Sequence, residues 1–160
     1  MKQDRFLTGI LIFIGVLVVA AVALFFVRSR APAYGPDDTP QGVVYNYATA
    51  LQLHDYARAY NYLAQKPNRP TYQSFQQAFL TYQSNPSNAA LQVGDVQTLP
   101  DGETWVSLSI QYAGSGLFSR DNSATDKAVL VDQNGAWKLT YMPYPYWGFD
   151  WYQVIPTPVK

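Results

Sequence analysis

His54 and Asp55 are adjacent, and His54 is the only histidine in the chain. Together they carry the two groups of a His–Asp acid/base pair. Tyr47, Tyr60 and Asp126 offer a second set, a phenol donor with a carboxylate base. Both sets have a structural reading that weighs more. Asp55 precedes an apolar helical pattern and suits an N-cap, while Tyr47 and Tyr60 fall on apolar helical stripes. No catalytic residue is therefore expected. With one His, no Cys and scattered carboxylates, no metal site is expected either. Gly114-Ser115-Gly116 lacks the Lys and helix context of a phosphate loop and reads as a loop tip, and no cofactor is called for.

The densest cluster lies at 141–152, where Tyr141, Tyr144, Tyr146, Trp147, Phe149, Trp151 and Tyr152 place seven aromatics in twelve residues. Pro143 and Pro145 hold this backbone extended. Such a stretch seals a core or forms a docking strip, since Tyr and Trp favour interfaces and headgroup layers. Tyr144, Tyr146, Trp147, Phe149, Trp151 and Tyr152 are the candidate contacts for a partner.

The elements that must carry these residues follow from periodicity. Thr39-Pro40 is an N-cap followed by proline at the first helical position, and Val44, Tyr47, Ala48 and Leu51 repeat at helical spacing. Asp55 caps a second helix with Tyr56, Ala59, Tyr60 and Leu63 on one stripe. Thr71 caps a third, with Phe75, Ala78, Phe79 and Tyr82 in step. The period then changes to two. Leu91 and Val93 alternate up to a bulge at Gly94-Asp95, and Leu99 to Gly102 turns. Val106, Leu108, Ile110 and Tyr112 form one face, and Ala113 to Ser123 connects onward. Ala128 to Val131 and Trp137, Leu139 and Tyr141 flank an Asn134-Gly135 hairpin. The fold class is α+β, three helices packed on a curved antiparallel sheet of about four strands.

This layout resembles nuclear transport factor 2-like (cystatin-like, conical α+β) domains. The resemblance rests on Leu51-Gln52-Leu53-His54-Asp55-Tyr56-Ala57-Arg58-Ala59-Tyr60, the third helix, and the closing Asn134-Gly135-Ala136-Trp137-Lys138-Leu139. It implies a curved sheet wrapped around helices, leaving a cone that Tyr47, Tyr60, Phe75, Phe79 and Trp105 would line. It does not select among isomerases, immunity proteins, adaptors and scaffolds.

The opening segment is of another kind. Phe6 to Val27 is 22 residues without a charge, roughly 33 Å of helix against a hydrocarbon core of about 30 Å. Ala31-Pro32-Ala33 would suit signal cleavage, but the run is too long for a leader, and Arg28 and Arg30 stand where a neutral region is needed. The expected organisation is a short cytoplasmic terminus at 1–5, a transmembrane helix at 6–27 and a linker at 28–39. The folded domain at 40–142 and an aromatic extension at 143–160 complete it.

The 160 residues carry 11 basic and 11 acidic groups. Charge is uneven along the chain, +3 through Arg30 and −3 beyond it, with no basic run in the larger part. Nucleic acid is not an expected partner. Expected partners are lipid through 6–27 and a membrane or envelope protein, and a second copy of the chain is also compatible. The domain is placed on the extracytoplasmic side. The expected function is a membrane-anchored binding or scaffold domain without catalysis. A binder of a small apolar ligand in the cone is the alternative, with a ketosteroid-isomerase-like enzyme behind it.

Overall fold

The computed structural model describes residues 5–28, 32–81, 84–112 and 122–153. The chain divides into two compact units, Met1–Pro32 and Ala33–Lys160. Among the described residues the first unit holds one helix, α1 (Arg5–Arg28), of 24 residues. Its Leu7–Phe25 window has a mean hydropathy of 2.9, and none of it is buried. Among the described residues it is the one helix long and apolar enough to cross a membrane. Large apolar side chains point outward on every face, including Leu11, Phe13, Val19 and Leu24. A helix apolar all round has no polar side to offer water.

The second unit runs α2 (Pro40–Gln52), α3 (Tyr56–Asn61), α4 (Tyr72–Leu80), a 3-10 turn at Pro86–Asn88, then β1 (Ala89–Thr98), β2 (Thr104–Tyr112), β3 (Asn122–Gln133) and β4 (Ala136–Tyr141). The strands form one antiparallel sheet in the order β1-β2-β3-β4. This is the expected α+β architecture.

Local chemistry places the helix starts. The Thr39 hydroxyl accepts from Gly42 N–H at 3.1 Å, with Pro40 at the first helical position. Asp55 Oδ1 accepts from Arg58 N–H at 3.2 Å, and Thr71 Oγ1 from Ser74 N–H at 3.2 Å. Each cap satisfies a donor that the first turn leaves free. Leu53 and His54 close α2. The Asp55 N–H reaches Ala50 O at 2.8 Å and the His54 N–H reaches Leu51 O at 3.1 Å, with His54 at φ 58°. This is a Schellman stop with histidine in the left-handed position usually taken by glycine.

The sheet buries one face. In β2, Thr104, Val106, Leu108 and Ile110 point inward while Trp105, Ser107, Ser109 and Gln111 point away. The β1 register shifts between Val93 and Val96, where a bulge at Gly94-Asp95 was expected. The β3–β4 hairpin turns on Asn134 (φ 60°) and Gly135 (φ 80°), a type I′ turn.

Three boundaries differ from expectation. Leu63 leaves α3, because residues 62–64 run beside β4: Ala64 N–H donates to Leu139 O and Leu139 N–H to Tyr62 O, both at 2.8 Å. This covers an edge of β4 that would otherwise lie open. β3 begins at Asn122 rather than Ala128, because its polar first half pairs with the far end of β2 from Lys127↔Ser107 to Asn122↔Tyr112. α4 ends at Leu80, and Tyr82 lies outside the described residues, as do 113–121 of the expected connection and 154–160 of the extension.

The linker expected at 28–39 is in part a strap. Asn46, fully buried on α2, grips it: Gly35 N–H donates to Asn46 Oδ1 at 2.7 Å, and Asn46 Nδ2 donates to Gly35 O at 2.9 Å and Asp37 Oδ1 at 2.5 Å. The Tyr62 hydroxyl donates to Asp37 at 2.7 Å, and Arg58 pairs with Asp37 at 3.3 Å. The Tyr34 hydroxyl donates to Asp55 at 3.0 Å beneath the Arg58 guanidinium, which lies 3.6 Å from the Tyr34 ring centre. Gly42 permits the close pass, since a Cβ there would collide with the Pro36 carbonyl.

Candidate functional site

The expected contact strip divides between core and surface. Tyr146 is fully buried, and Trp147 and Trp151 are nearly so, at 7% and 6% exposed. Tyr144 is 61% exposed and Phe149 92%. Tyr152 is half-buried, and its hydroxyl donates to Ala64 O at 2.5 Å.

The buried members fill the space between helices and sheet. The Tyr47 hydroxyl donates to Tyr146 O at 2.7 Å, and the Tyr146 hydroxyl donates to Ala89 O at 3.0 Å at the start of β1. Burial pushes the Tyr146 phenol up to about 12 and raises Tyr47 well above its ordinary value. Trp151 stacks on Phe75 with ring centres 5.1 Å apart and meets Phe79 edge-on at 5.9 Å. Trp147 meets Trp151 at 5.0 Å and Tyr47 at 6.2 Å. Removing one such buried ring costs about 3–5 kcal/mol, so these side chains belong to the core. Gly148 allows the fold-back, because a Cβ there would collide with the Trp151 indole.

The residues expected to line a cone therefore sit in different places. Tyr47, Phe75 and Phe79 converge, but against the chain's own Trp147 and Trp151. Tyr60 is half-buried at the α3–α4 side, donating to Pro70 O at 2.8 Å with Arg69 over its ring. Trp105 departs altogether. Strand alternation puts it on the face opposite Val106 and Leu108, where the Lys127 ammonium sits 2.9 Å from its ring centre.

The acid/base sets are likewise apart. Asp55 accepts from Tyr34 and the Arg58 backbone, while His54 meets the edge of Tyr56 at 5.9 Å. Asp126 lies on β3 with the Tyr141 hydroxyl at 3.5 Å, on the inward face opposite Leu108. Tyr47 donates to a backbone carbonyl instead. Among the described residues no group of three His, Cys, Asp or Glu could hold a metal.

The exposed members shape a groove of about 720 Å3 between α4 and the segment after β4. Ser74 and Ala78 line it from α4, and Tyr144, Trp147, Phe149 and Asp150 from the segment after β4, with Tyr141 also in the lining. The Tyr112 hydroxyl holds Tyr144 O at 3.0 Å, and Ser84 Oγ holds Trp147 O at 3.2 Å, so the segment after β4 is braced to β2 and to the turn after α4. Burial and the nearby Asp126 charge raise the Tyr141 phenol. The sequence signal for this site was present in the aromatic spacing. What it lacked was any sign of which rings turn inward: the extended path expected from Pro143 and Pro145 is instead a series of turns, with the Tyr146 N–H donating to Pro143 O at 2.9 Å and the Trp151 N–H to Gly148 O at 3.4 Å.

No family model matches the chain, and no curated protein matches it. Solved structures that resemble it include an NTF-2 like protein of unknown function from Shewanella oneidensis MR-1, with TM-score 0.43 and 9% identity. That match covers 61% of this chain and 88% of the other. A putative calcium/calmodulin dependent protein kinase II association domain from Xanthomonas campestris aligns with TM-score 0.39 and 11% identity, over 68% of this chain and 91% of the other.

Proposed function

We propose that this chain is a single-pass membrane protein whose Ala33–Lys160 unit is a nuclear transport factor 2-like binding module without catalytic activity. It acts on the extracytoplasmic side as an accessory subunit of a membrane or envelope complex. The observation that carries the reading is α1, whose 19-residue Leu7–Phe25 window is uncharged and exposed on every face. Such a surface finds a favourable environment in hydrocarbon and none in water. The binding role is supported by the packed interior and by apolar rings left outside it at Tyr144 and Phe149.

The strap narrows the reach. With Tyr34 held to Asp55, only residues 29–33 separate the end of α1 from Tyr34, a contour of about 20 Å. A module on so short a lead meets partners at the membrane surface.

The absence of cysteine makes the test clean. Gln97 is exposed on β1, and a Gln97→Cys variant is labelled with a membrane-impermeant maleimide in intact cells, beside a Gln3→Cys variant. The reading expects retention in the membrane after alkaline carbonate extraction, labelling of position 97 and protection of position 3. Release by carbonate overturns the anchor, and the reverse labelling pattern overturns the sidedness.

A further inference from the structure

The groove between α4 and the segment after β4 has a chemistry that names its occupant. Its exposed rings, Tyr144 and Phe149, offer π faces to the solvent. Among the described residues lining it, Asp150 is the one charged side chain. Asp150 is exposed and has no hydrogen bond or ion pair among the described residues, so its carboxylate is free for a ligand. A second carboxylate, Asp126, lies outside the lining and accepts from the Tyr141 hydroxyl at 3.5 Å. The part of the chain beyond Arg30 is acidic overall, at −3. Aromatic faces beside a carboxylate attract organic cations, through the ring quadrupole and through direct charge. A volume of about 720 Å3 lies in the range that accepts several side chains.

We propose that this groove binds a cationic, partly apolar segment of a partner protein, seating a Lys or Arg side chain against Phe149, Tyr144 and Asp150. This rests on the binding-module reading above and supplies the partner chemistry. Anionic headgroups are disfavoured by the same carboxylates; a zwitterionic lipid headgroup is the competing occupant, and the lipid arm of the test below separates it from protein. The exposed rings contribute apolar contact, and the acidic groups select the sign of the partner's charge.

The test uses the full chain in neutral detergent and three acetylated, amidated heptapeptides alternating Leu with Lys, Ser or Glu. Binding is read by amide shifts and by the fluorescence of Trp147 and Trp151. The Lys peptide should bind about tenfold more tightly than the Ser peptide, and the Glu peptide more weakly still. Shifts should centre on Gly148 and Gln153. Phe149→Ala, which removes a side chain outside the core, should weaken the Lys peptide about tenfold, and Asp150→Asn should erase most of its advantage over Ser.

Equal binding of the three peptides, preference for Glu, or shifts centred elsewhere overturns the proposal. A Phe149→Trp variant in nanodiscs adds the lipid arm: quenching by brominated phosphatidylcholine identifies a lipid occupant and also overturns it. Carbonate extraction reads the anchor separately, so failure here leaves that result standing.

Discussion

The Tyr47 hydroxyl and the Tyr146 carbonyl are 2.7 Å apart and separated by 99 positions in sequence, in a site without access to water. This bond joins the first helix of the folded unit to the chain that follows its last strand. Tyr47→Phe removes the donor and keeps the ring, leaving a buried carbonyl unpaired. The expected cost is about 1–3 kcal/mol, read as a lower denaturant midpoint with an unchanged slope.

Gly148 lies between the two tryptophans that seal the core. Gly148→Ala pushes a methyl group into the Trp151 indole, so the segment must shift or Trp151 must leave Phe75. A loss of about 1–3 kcal/mol is expected, with a weaker near-ultraviolet circular dichroism signal from the displaced rings.

His54 is explained by backbone geometry. At φ 58° the left-handed conformation is strained for a residue with a Cβ, so His54→Gly should be about 1 kcal/mol more stable than His54→Ala. Thermal unfolding of the pair measures the difference. A role in a proton relay would instead make both variants equally inactive in a functional assay.

The strap carries a pH dependence. Burial raises the Asp37 carboxyl, but hydrogen bonds from Tyr62 and Asn46 and the Arg58 charge outweigh it, so its affinity for protons falls below the ordinary value. A carboxyl depressed in the folded state contributes stability above its unfolded value near 3.9, and that contribution is lost as pH falls through the folded value. The amide signals of Gly35 and the Asn46 side chain should therefore hold steady from neutral pH to about 4 and move below it. Asp37→Asn should loosen these contacts at pH 7 and abolish that acid step, while Gly42→Ala should dislodge the strap at any pH.

Features coded within a few residues were legible in the sequence. Thr39-Pro40, Asp55 and Thr71 cap helices, Gly94-Asp95 bulges and Asn134-Gly135 turns, because each depends on neighbours along the chain. Features that depend on distant partners were not. Residues 34–37 read as linker because prolines and aspartates suit a loop, and their partner Asn46 is a single polar residue beside an apolar stripe. A buried asparagine on such a helix needs partners from elsewhere, and that was the available hint. The departure of Leu63 from its helix obeys the same limit, since the backbone of β4 claims it. Half of the aromatic strip was bound to look alike in either role, because a ring that plugs a core and a ring that meets a partner have the same composition.

The way Tyr34 to Asp37 are fastened also decides where mechanical load enters the molecule. Traction on the residues ahead of Tyr34 is delivered first to its bond with Asp55 and then to the Asn46 and Tyr62 clasp on Asp37. Two helix sites and the turn after α3 share the strain, and Tyr62, whose carbonyl accepts from the Leu139 N–H, passes part of it to β4. Once the clasp tears, the pull passes to the capped start of α2 at Thr39, and the lead lengthens by the freed strap.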